Sequence, residues 1–88
     1  MKPAPGDIQI VMPKQAKLLK KEHGLLDYVK IQRIGLVANV LLLSTGKVLC
    51  VPTFPWQVED SATQKQALLD EGTALWMRHN SKVKLSEK

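Results

Sequence analysis

The chain has 88 residues, 44% apolar and 24% charged, with a net charge of +5. That length fits one domain with one modest core, and the composition excludes wholesale disorder. No apolar run approaches the about 20 residues a spanning helix needs, and the opening MKPAPG lacks an apolar secretory core, so no membrane partner is expected.

In chain order, residues 1–6 read as a mobile tail, 7–24 as an N-terminal arm with a basic helix, and 25–88 as the core of a single domain. IQIVM is short and β-branched, suited to a strand or an extended arm. Pro13 then sits where a first helical residue would, and PKQAKLLKKEH predicts a short helix that Gly24 stops. Met12, Ala16 and Leu19 share one apolar face, with Lys14, Lys17 and Lys21 in a stripe beside it. YVKIQR alternates, with Val29 and Ile31 on one side and Tyr28, Lys30 and Gln32 on the other, as a half-exposed strand does. Gly35 breaks it before LVANVLLL, a strand with almost no polar face. Ser44-Thr45-Gly46 is a hairpin signal, and KVLCV returns as a third strand, apolar on both sides. Its two faces need cover, one from the chain's own helices and the other from further strands or a second copy.

Pro52 and Pro55 stop that ladder, and Pro52, Phe54, Pro55 and Trp56 form an aromatic corner. The bland expectation is a structural lid laid on one apolar face; the functional alternative is a platform for stacking bases. Ser61 and Gln64 match a capping box that opens the helix ATQKQALLDE, which Gly72 should end. TALWMRH then reads as a strand, Asn80-Ser81 as a turn, and KVKL as a lysine-guarded edge strand. The expected fold is α+β: a small antiparallel β-meander with an N-terminal helix and a helix inserted before the C-terminal strands.

The stretch LSTGKVLCVPTFPWQVEDSATQKQ resembles a widespread family of small bacterial proteins catalogued as a domain of unknown function. In that family a glycine turn leads into a strand ending Leu-x-Val-Pro. A Trp/Phe-Pro corner follows, then Ala-Thr-x-x-Gln nine residues after the strand proline, then a Gly-x-Ile/Leu-x-Trp element. Gly46, Leu49, Val51 and Pro52 match the strand, and Phe54, Pro55 and Trp56 the corner with its order permuted. Ala62, Thr63 and Gln66 keep the spacing, and Gly72, Leu75 and Trp76 resemble the last element. The family's acidic run after the tryptophan is replaced here by Met77-Arg78-His79-Asn80. The resemblance implies a small α+β fold and the context of mobile or paired-gene operons; it implies no activity.

Little in the residues carries reaction chemistry. Cys50 lies mid-strand between Leu49 and Val51, as an inert buried thiol does, and a lone cysteine suits a reducing cytoplasm. His23 and His79 have no metal-ligand cadence, the adjacent pairs Glu59-Asp60 and Asp70-Glu71 point to different faces, and STGK lacks the opening glycine of a phosphate loop. We therefore expect no catalytic residues, no cofactor and no metal.

Two functional expectations remain. The first is a protein-interaction module, homo-oligomeric or paired with a neighbouring gene product, with Leu41, Leu43, Val48 and Cys50 at the interface. The second is salt-sensitive nucleic-acid binding. From Pro13 to Arg33 the chain carries six basic residues (Lys14, Lys17, Lys20, Lys21, Lys30, Arg33) against Glu22 and Asp27, a candidate anion-contact set. A charged stripe is also what a solvated helix face looks like.

Overall fold

A computed structural model of the chain describes residues 8–33 and 35–86, with side chains as far as Asn80. The tail expected over residues 1–6 lies outside them. The elements are β1 (Ile8–Ile10), α1 (Pro13–His23), β2 (Leu25–Arg33), β3 (Leu36–Leu43), β4 (Val48–Pro52), α2 (Trp56–Glu59) and α3 (Ala62–Ser86). The fold is α+β: a four-stranded sheet in the order β1-β4-β3-β2, with helices on both faces. Strands β2, β3 and β4 form the expected antiparallel meander. The arm IQI adds an edge strand parallel to β4, with Ile8 opposite Val48 and Ile10 opposite Cys50, which makes the sheet mixed.

Local chemistry sets most of the boundaries. Pro13 opens α1, and Gly24 closes it at φ +81°, its N–H donating to the Lys20 carbonyl at 2.9 Å. Lys20 and Lys21 lie in the last turn, where positive charge is favoured by the negative end of the helix dipole. Gly46 takes φ +91° in the β3–β4 hairpin, closed by Leu43 and Lys47. At the start of β2 the register shifts between Leu25 and Asp27, so Leu26 is an extra, bulged residue. The bulge reverses the alternation: Leu25 faces the same side of the sheet as Tyr28, and Asp27 the other.

The main core lies between the sheet and α3. Ile31, Leu36, Ala38, Val40, Leu42, Val48 and Cys50 point to it from the strands, and Val58, Leu68 and Leu75 close it from the helices. On the other face Val11 and Ala16 pack over Leu43, Leu49 and Val51, with Leu19 and Leu41 at the margin. The second side of β3 and β4 is therefore covered partly by the chain's own N-terminal helix.

Three expectations are corrected. The C-terminal strands do not form: TALWMRH and KVKL continue α3 to Ser86. Gly72 does not end the helix but sits buried inside it, where a Cβ would stand 2.6 Å from Ile8 Cδ1 and 2.9 Å from Cys50 Sγ. Its lack of a side chain lets α3 lie against β1 and β4, and Leu68, Gly72, Leu75 and Trp76 recur at helical rather than strand spacing. The aromatic corner is not a lid. Phe54 and Trp56 are 39% and 59% exposed, whereas Val58, on a helical turn absent from the expectation, is 4% exposed and fills the core. Pro52 is buried at the end of β4, and Pro55 caps α2. Gln57 anchors this turn to the β2–β3 hairpin, its Nε2 donating to the Gly35 carbonyl and its Oε1 accepting from the Val37 N–H. The Ser61 cap forms as expected, Ser61 Oγ accepting from the Gln64 N–H at 3.2 Å. No helix among the described residues is long and apolar enough to cross a membrane.

Candidate docking surface

A helix with its side chains is about 10–12 Å across and strands stand about 4.8 Å apart, so one short helix covers about two strands. On the α1 face the helix sits against β4 and reaches Leu43 at the end of β3, leaving β2 and the part of β3 around Asn39 and Leu41 less covered. An open groove of about 530 Å³ runs there. Leu41, Val51 and Asn39 form its floor, Ala16, Lys17 and Lys20 its α1 wall, and Leu25 and Tyr28 its β2 wall. Leu25 is 37% exposed and Tyr28 59%, so the far wall is an apolar and aromatic edge open to water. Lys30 extends that wall, pairing across the strands with Asn39 on the same sheet face.

The groove is apolar below and cationic at its rim. Lys17 and Lys20 line it and Lys30 extends it, while Lys14 and Lys21 stand off its wall; all five are exposed, and none has an ion-pair partner among the described residues. The two ion pairs seen lie on the opposite face of the sheet: Arg33 to Glu71 at 3.9 Å, and Arg78 to Asp27 at 3.5 Å. Arg33 is thereby separated from the lysines with which its position in the chain grouped it.

The expected interface set divides in the same way. Leu43, Val48 and Cys50 have no exposed surface and offer none to a partner, and Val48 and Cys50 face α3 while Leu41 and Leu43 face α1. Leu41 alone of the four is half-buried and reaches the groove. Leu25, Tyr28 and Asn39, which belong to the groove, were not in that set. Alternation shows Tyr28 on the open side of its strand; Leu25 is hidden by the bulge.

The Cys50 thiol donates to the Leu68 carbonyl at 3.6 Å, and burial pushes its pKa up to about 12 from an ordinary 9.0. Such a thiol stays protonated and enclosed at neutral pH, the reverse of what a nucleophile requires. Among the described residues no three His, Cys, Asp or Glu side chains come together as a metal site would need. Phe54 and Trp56 meet at 5.3 Å between ring centroids with planes tilted by 39°, an exposed pair that stacks on itself. No family model, no curated protein and no solved structure matches the chain.

Proposed function

We propose that this protein is a non-catalytic interaction module that binds another polypeptide on the less covered strip of its sheet. One observation carries the reading: the groove walled by α1 and β2, where Leu25, Tyr28 and Leu41 stand exposed or half-exposed around an apolar floor. A different protein suits this surface better than a second copy. Two copies meeting through it would oppose Lys17, Lys20 and Lys30 to their own kind, which disfavours self-association. A product of a neighbouring gene, as the family resemblance suggests, is the proposed partner, and a reducing cytoplasm, where one lone buried thiol needs no bridge, the proposed setting. Nucleic acid has the lysines in its favour. Leu41 and Val51 in the floor contribute nothing to phosphate contacts, however, and Arg33 is turned away to Glu71.

A random-peptide library displayed against the folded chain, with enriched peptides mapped by NMR shift perturbation, tests the reading. The expected footprint falls on Leu25, Tyr28 and Leu41 and persists at high salt. A footprint elsewhere, or a chain that takes up no peptide yet shifts onto a mixed-sequence oligonucleotide at low salt, overturns it.

A further inference from the structure

The groove has a width and a charge, and together they describe its occupant. The open strip runs from Val51 of β4 across Asn39 and Leu41 of β3 to Leu25 and Tyr28 of β2, two strand spacings, which is about the width of one helix. A helix laid there would run beside α1 at about the 8–10 Å between axes at which helices pack, completing a two-helix layer on this face. Its apolar side would meet Leu41 and Leu25, with Tyr28 as the aromatic edge of the wall. One of its flanks would meet Lys17 and Lys20 on α1, and the other Lys30 on β2. All three ammonium groups are exposed and without an anionic partner among the described residues. Asn39, half-buried on the floor, makes no side-chain hydrogen bond among the described residues and offers a polar anchor between the two flanks.

We infer that the groove takes an acidic amphipathic helix of another protein, with one apolar stripe and carboxylates on both flanks. This inference rests on the interaction-module reading and adds the chemistry of the partner.

The probe is a fluorescein-labelled helical peptide of about 14 residues, near the shortest length at which a helix holds in water, with leucines at i, i+3, i+4 and i+7 and glutamates on the flanks. Its controls are the same composition with the leucines scrambled, and a version with every glutamate replaced by lysine. Binding to the full chain is read by fluorescence anisotropy. The glutamate peptide should bind at least about tenfold more tightly than either control. Lys17→Glu with Lys20→Glu should weaken it about tenfold and bring the lysine peptide up in its place, a swap that general misfolding cannot produce. Tyr28→Ala should weaken it severalfold, and Lys14→Glu with Lys21→Glu, off the groove wall, by less than about twofold.

Equal binding of the glutamate and lysine peptides overturns the inference, as does a scrambled peptide that binds as well. Displacement of the glutamate peptide by a mixed-sequence oligonucleotide also overturns it, assigning the rim to nucleic acid. If the glutamate peptide fails while neutral or basic displayed peptides still map to the groove, the charge assignment falls alone. If both peptide classes fail, the module reading falls with it.

Discussion

The two faces of this sheet are built from the same strands and end up in different states. On the α3 face, β1, β4 and β3 lie under a 25-residue helix, and Leu68 and Leu75 are 0% and 2% exposed. On the α1 face an 11-residue helix covers β4 and leaves Leu41 half-buried and Tyr28 exposed. Strands β3 and β4 are apolar on both sides, so their residues demand cover without specifying its source. Helix size and strand order decide which face closes and which stays open to water.

The sharpest way to break that comparison is one truncation on each face. Leu68→Ala removes a fully buried side chain from the closed core and should lower stability by about 2–5 kcal/mol. Leu41→Ala makes the same chemical change at the groove floor, where much of the lost surface is already wet, and should lower it by about 1 kcal/mol. Urea midpoints measure both. Equal losses would mean that the α1 face is closed in solution, and the proposed docking site would be ruled out.

Gly72 sharpens the closed side. Helix propensity alone favours replacing it, by roughly 1 kcal/mol for alanine. Contact opposes the change, because the new Cβ would meet Ile8 Cδ1, Cys50 Sγ and Val48 Cγ1, the last at 3.2 Å. The tip of Ile8 lies on an edge strand and can yield; Cys50 and Val48 lie in β4, paired on both sides, and cannot do so easily. Gly72→Val should lower stability by about 1–3 kcal/mol, read from the same urea curves. A stabilised variant would show that α3 stands further from the sheet.

Much of the fold is legible in the residues because the periodicities are local. The alternation of Val29 and Ile31 against Tyr28 and Lys30, the stop at Gly24, the hairpin at Gly46 and the cap at Ser61 each need only a few neighbours to interpret. Gly72 fails that test. A glycine after a helical stretch looks the same whether it ends the helix or lets it approach a strand, and the difference lies in β1 and β4, more than 20 residues away in the chain. The groove was legible in part: Lys17, Lys20 and Leu41 belong to it, while Leu25 needs the bulge and Asn39 needs the strand order. Phe54 and Trp56 mislead for a further reason. Large aromatics are usually buried, and here Phe54, before the short helix, and Trp56, at its start, stay outside while the smaller Val58 goes in.

Cys50 tests the closed face by pH. Its folded pKa, about 12, lies above the ordinary 9.0 that the unfolded chain should show. The stabilisation is thus fully present below pH 9 and is lost as pH rises toward 12, because the unfolded state releases a proton that the folded state keeps. Relative to Cys50→Ala, the wild-type chain should lose about 1.4 kcal/mol per pH unit over that window. Urea curves at pH 8 and pH 10 for both proteins isolate the thiol, since tyrosine and lysine titration are common to the two. A wild-type thiol that reacts readily with an alkylating reagent at neutral pH would show that water reaches the α3 face.

The smallest effect is expected at the aromatic corner, and its smallness is informative. Trp56 touches Phe54 but remains 59% exposed, so its truncation removes a surface contact and little buried area. Trp56→Ala should lower stability by less than about 1 kcal/mol, within the range of a partly exposed aromatic pair. Val58→Ala, two residues on, deletes less side chain yet should lower it more, by about 1–2 kcal/mol, because that side chain is 4% exposed in the closed core. The order of the two midpoints decides which residue plugs the end of the sheet. If tryptophan proves the costlier loss, the corner folds inward in solution and acts as the lid that its composition suggests. If valine does, the prolines and Gln57 serve to set a short helix on the rim of the sheet, with the aromatic pair left outside.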